Sequence, residues 1–225
     1  MHRLLKFSRD TINFPWQAAT PLDGLHAAIG IAIALIVGHR TGHDSAGAIA
    51  AGAVFTIGFA AFHRALASAL LSMALLTLGL ASATLAGSLT ASWTPLVLLV
   101  VTIAAINYGM LSFLGPTAGW MGQQCGVFLI IASYFPLGVH YALGRTGMVL
   151  LGGALQMLVY AIFHFTLRSE DHIELKLLAG RFQHRTSELL AQFRYDLHFR
   201  GETAWYTLRL VFTLFVCTAI YRYFH

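Results

Sequence analysis

Five polar side chains lie inside long apolar stretches: Asn107, Gln123, Gln124, Gln156 and Arg209. Polar groups in such surroundings are costly and face a protein interior or a solute pathway. Their chemistry is recognition rather than bond making. Each carboxamide offers donors and an acceptor, and a guanidinium holds a carboxylate through two parallel hydrogen bonds. One reading of the set is a polar cavity for a small organic anion. The other is packing, with the amides hydrogen-bonded between helices and Arg209 snorkelling to the membrane surface. Arg64 carries the same two readings as Arg209.

Bond-making chemistry finds little support. The sequence has no His-Glu-x-x-His, no paired acidic metal motif and no Gly-x-Ser-x-Gly. The expectation is therefore no enzyme and no catalytic residue. Apart from Asp23, no Asp or Glu falls within the first six apolar stretches, which weakens a proton relay housed there. The chain has 11 histidines, but a bis-histidine haem needs ligands on facing helices at matching depths. His26 and His39 are spaced for one side of such a site. His140 and His164 do not supply the other, so neither haem, metal nor any other cofactor is expected. Cys125 and Cys217 sit in apolar stretches and suggest no disulfide framework or zinc site.

The elements that must position these residues are membrane helices. Hydrophobic residues make up 57% of the chain and charged residues 10%, against about 25% charged in a soluble domain. Backbone groups in lipid must be satisfied internally, so long apolar runs mean helices. The fold class expected is all-α, a polytopic membrane helix bundle. Its spans are placed at about 22–38, 46–62, 65–87, 93–114, 119–139 and 146–167, with a seventh at 204–223. The break between the second and third rests on His63-Arg64, and one long bent helix there is the alternative. Around this block lie an N-terminal segment, 1–21, and a linker, 168–203; the block itself covers 22–167, and 204–225 opens a probable second block.

Charge orients the bundle. Arg3, Lys6 and Arg9 precede it, and Arg168, Lys176, Arg181, Arg185, Arg194 and Arg200 follow it, whereas the outer loops hold Arg40 and Arg145. An even span count places both basic segments on one side, which the positive-inside rule makes cytoplasmic. The net charge of +5 is thus a topology signal, and no nucleic-acid partner is expected. Within the linker, Leu175, Leu178, Phe182, Leu189, Phe193 and Leu197 form one apolar stripe. That helix fits either the membrane surface or a counterpart in another block or subunit. His26 and His39 also recur in register with Arg209 and Arg222, a weak sign of an internal repeat.

This order of elements resembles the fusaric-acid-resistance family, which includes aromatic acid exporters. The likeness lies in six helices, a basic helical linker and the Arg-bearing run Thr207-Leu208-Arg209-Leu210. Arg64 matches the arginine that often follows the second helix in that family; Ala65-Leu66-Ala67-Ser68-Ala69 lacks the glycines that follow it there. The resemblance implies a bacterial inner-membrane protein with two six-helix halves, of which this chain is the first half plus one helix. It implies efflux of aromatic carboxylates or similar anions. The partners expected are the bilayer, a small organic anion and a second membrane block, in the same full-length chain or in a homo-oligomer. The alternative is a non-catalytic structural or assembly subunit of a membrane complex.

Overall fold

The computed structural model of the chain describes residues 21–60, 69–114, 116–135, 138–167 and 202–224. Every regular element among them is a helix: α1 (Pro21–Arg40), α2 (Asp44–Ala60), α3 (Ala69–Thr90), α4 (Thr94–Leu114), α5 (Pro116–Ser133), α6 (Val139–Leu167) and α7 (Glu202–Phe224). Among the described residues four helical segments are long and apolar enough to cross a membrane: Ala69–Thr90, Thr94–Ser112, Val139–His164 and Trp205–Phe224. Gly24–Arg40 and Asp44–Ala60 are apolar but shorter. This is the character of a multi-pass membrane protein. The expected linker helix, the N-terminal segment and the His63-Arg64 break lie outside the described residues.

Lipid offers no hydrophobic drive for one helix to pack on another, so close van der Waals contact must supply it, and small residues allow that contact. The sequence provides them at the crossings. α1 and α2 run antiparallel, with Gly38 against Gly47 and Ala27 against Gly58. α2 and α6 meet where Gly152 faces Ala50 and Ala53, and Gly153 faces Thr77 of α3. α3 and α5 run parallel, with Gly79 on Cys125 and Gly87 on Leu129 and Ala132. α4 and α5 form an antiparallel hairpin through Ser112 on Gly119 and Leu111 on Gly122. α7 packs antiparallel on α4, from Thr207 on Gly109 to Arg222 on Ala91. The largest buried cluster joins Ala53, Ile57 and Ala60 of α2 to Met73, Leu76, Leu80 and Ala81 of α3 and Val149 of α6. Hydroxyls in this dry interior bond back to their own helix, as Thr77 does to Met73 O at 2.7 Å and Thr84 to Leu80 O at 2.8 Å.

The helix ends follow local chemistry. Gly42 takes a positive φ of 71°, and its N–H reaches His39 O while the His43 N–H reaches Gly38 O. That pair of bonds is a Schellman motif, and it closes α1 on a glycine. His39 then meets Asp44 at 3.1 Å, on the exposed surface where α2 begins. α5 opens on Pro116, whose missing N–H and fixed φ suit a first helical position.

Two boundaries differ from the expectation. α5 stops at Ser133, short of 139, and α6 starts at Val139 rather than near 146. Gly138, at φ 83°, immediately precedes α6. Arg145, expected in an outer loop, therefore lies inside α6. Its guanidinium sits 4.2 Å from the centroid of the Phe135 ring, a cation–π contact that accommodates the charge there.

Candidate functional site

The register of the helix pairs sets the depth of three of the five polar residues. Because Gly109 lies against Thr207 on an antiparallel helix, Asn107 is level with Arg209. Because Tyr108 and Leu111 lie against Gly122, Asn107 is also level with Gln123. Each of the three stands seven residues from the helix terminus at the same end: Leu114 of α4, Pro116 of α5 and Glu202 of α7. At 1.5 Å per residue, that is a depth of about 10 Å. Asn107, Gln123 and Arg209 thus form one polar level across three neighbouring helices.

That level lies on the outside of the block. Asn107, Gln123 and Arg209 are all exposed, and Gln124 is half-buried beside them. Arg209 follows Thr207 by two residues, about 200° round the helix, so it points away from α4. Thr213 lies one turn further on the same face and donates to Arg209 O at 2.8 Å. Asn107 Nδ2 donates to Ile103 O at 3.0 Å, which leaves its oxygen as an acceptor. One step along the same level, Tyr206 shares a hydrogen bond with Tyr108.

Gln156 sits elsewhere. It is fully buried at the meeting of α1, α2 and α6, with its Nε2 2.8 Å from Nδ1 of buried His26. Gly30 and Gly58 leave the room for it: a Cβ on Gly30 would stand 2.7 Å from Gln156 Oε1, and one on Gly58 would stand 3.2 Å from Nε2. Tyr160 meets His26 edge-on at 5.3 Å and stacks on His164 at 5.8 Å. His26, Tyr160 and His164 are thus joined in one array that sequence reasoning missed, though His164 and Tyr160 are one turn apart on α6. Gln156 thus joins α6 to α1 through His26.

Arg222 is the second residue whose part the sequence concealed. Its guanidinium donates to Ala91 O and Ser133 O, carbonyls just past α3 and at the end of α5. The last carbonyls of a helix lack intrahelical partners and carry the negative end of its dipole. One cation thereby caps two parallel helices and ties α7 to them. Tyr221 packs edge-on against Tyr134 at 4.5 Å. Burial raises the Tyr134 phenol above its ordinary range, Tyr221 adds to the rise, and Arg222 opposes it. The suggested repeat of His26 and His39 in Arg209 and Arg222 finds no echo in environment. His26 is buried where Arg209 is exposed, and His39 is exposed where Arg222 reaches two carbonyls.

The described residues include no group of three or more His, Cys, Asp or Glu placed to hold a metal ion. Gly109 faces α7, so Asn107, two residues away, turns from it as Arg209 turns from α4; the two share a depth and not a face. No family model, characterised protein or solved structure matches this sequence.

Proposed function

We propose that this chain is a membrane block of a transporter that exports organic anions, aromatic carboxylates above all, across a bacterial inner membrane. In this reading α1 to α6 are six spans, the amino terminus is cytoplasmic, and α7 opens the contact to a second block. The observation that carries it is the common level of Asn107, Gln123 and Arg209 on α4, α5 and α7. Amides at about 10 Å from a helix end cannot reach the headgroups as a long arginine can, so they need polar company inside the membrane. An anion held at this depth against a facing block would supply it.

The parts then divide as follows. Arg209 pairs with the carboxylate in bidentate fashion. Asn107, Gln123 and Gln124 offer further amides at this depth on other faces of α4 and α5. Tyr108 and Tyr206 offer aromatic surface one step away. Alternating access follows if the α7 face rocks against the facing block around this level. Gln156 would hold α1, α2 and α6 as one body during that motion.

The test is retention of labelled 4-hydroxybenzoate by loaded bacterial cells with and without the gene. Faster loss with the gene, abolished by Arg209→Ala at equal membrane expression, supports the proposal. Identical loss in a well-expressed strain refutes the substrate class. It would favour the second reading, a structural or assembly subunit, for which the exposed Trp205, Leu208, Phe212 and Phe215 of α7 speak.

A further inference from the structure

We propose that His26 and Gln156 form a proton-binding site inside the membrane, in which His26 Nδ1 takes up the proton and the Gln156 amide turns over to accept from it. This rests on the reading of the chain as a membrane block and on no particular substrate.

The chemistry of the pair selects the ligand. Gln156 Nε2 lies 2.8 Å from His26 Nδ1. An amide nitrogen only donates, so Nδ1 accepts, and the ring is neutral with its proton on the other nitrogen. Both residues are more than nine-tenths buried, His26 at 3% exposure and Gln156 at 0%. Gln156 Oε1 is buried too and has no hydrogen-bond partner among the described residues. A buried carbonyl left without a donor needs a reason. After a half-turn of the amide, Oε1 takes the place of Nε2 and accepts from a protonated Nδ1. One side chain thus serves the neutral ring through its donor and the charged ring through its acceptor.

Glycines leave the room for that half-turn. A Cβ on Gly30 would stand 2.7 Å from Oε1, and one on Gly58 would stand 3.2 Å from Nε2. The proton comes from water at the membrane face. The Nδ1 lone pair forms the new N–H bond, and no other bond to the protein breaks. The distance is short, since His26 stands five residues from Pro21, about 8 Å at 1.5 Å per residue. Half-buried His164 lies at the same end of the bundle, near the close of α6. The titratable neighbours are few. On α6, Tyr160 meets the His26 ring edge-on at 5.3 Å, and His164 stacks on Tyr160. On α1, Asp23 stands one turn earlier. On α2, among the described residues, Asp44 is the titratable group, at the opposite end of the helix from Gly58. Apart from Asp23, the first six apolar stretches hold no Asp or Glu, so titration near neutral pH inside them falls to histidine.

The experiment uses the full chain in lipid bilayers, with isotope-labelled histidine and glutamine, read by solid-state NMR. Magnetisation transfer to the Gln156 amide identifies the His26 ring. Titration over about pH 5 to 8 should convert that ring from the singly to the doubly protonated form. The Gln156 amide signals should move at the same midpoint. Gln156→Met, close in size and lacking the amide, should weaken proton binding about fivefold, because a hydrogen bond to a charged group is stronger than one to a neutral group. A ring that keeps one protonation state over this range would overturn the proposal, as would a ring that titrates while the amide signals stay fixed. Unchanged proton binding in folded Gln156→Met would overturn it too. Should that variant fail to fold, the joint titration of ring and amide in the parent decides. Joint titration in a protein that does not export 4-hydroxybenzoate would leave the proton site standing and the substrate class refuted. A fixed ring in a protein that does export it would do the reverse.

Discussion

Gly30→Ala is the sharpest single perturbation of the buried Gln156 site. The added methyl would sit 2.7 Å from Gln156 Oε1 and 2.8 Å from Val54 Cγ1. Ordinary carbon contacts begin near 3.5 Å, so both neighbours must move by more than half an ångström. Val54 is fully buried and stiff at χ1. Gln156 is fully buried and held by His26. Overpacking of a tight interior costs about 1–3 kcal/mol, and a strained or broken hydrogen bond adds about 1 kcal/mol. Alanine returns up to about 1 kcal/mol through its better helix propensity. The net is a loss of about 2 kcal/mol, or roughly 4–8 °C in Tm for a chain of this size. Thermal unfolding of the purified protein in mild detergent measures it. The double variant Gly30→Ala/Gln156→Ala should recover part of the loss, because the shortened side chain makes room for the methyl. A Gly30→Ala protein as stable as the parent would refute the packing argument. Strict additivity in the double variant would refute the claim that Gly30 acts through Gln156.

Two further outcomes follow from the same geometry. Gly47→Leu should strongly reduce the yield of folded protein, because a Cβ there would meet the α1 backbone at Gly38 Cα, 2.9 Å away, whereas Gly52→Leu enters open space and should leave the yield unchanged; detergent-resistant monomer after extraction reads both. Arg222→Ala should free the end of α7, seen as faster amide exchange over 215–224, while Arg222→Lys restores part of the protection because an ammonium reaches one carbonyl at a time.

Helix content was plain in the sequence because an apolar run of membrane length allows no other backbone state in lipid. Boundaries were less plain. Reading Arg145 as a loop residue predicts the connection of α5 to α6 around it, whereas α6 begins at Val139. A charge marks a loop only if the fold gives it nothing to rest on, and Phe135 gave Arg145 an aromatic face. Gly122 and Gly126 show the same limit. Both belong to one Gly-x-x-x-Gly, yet Gly122 touches α4 and Gly126 meets open space. Similarly, Arg209 and Arg222 looked alike in sequence, and only Arg222 finds two helix ends.

The sequence by itself determined an all-helical chain of membrane-spanning character, rich in small residues, with a few polar groups inside its apolar runs. Local composition suffices for these, since hydropathy, backbone satisfaction and side-chain size act within one or two turns. Tertiary structure decided the rest. It set Gln156 against His26 across 130 residues, brought Asn107, Gln123 and Arg209 to one level, and turned that level outward. Those outcomes depend on how antiparallel helices slide and rotate against one another. That register is fixed by the packing of two surfaces together, and neither surface encodes it alone.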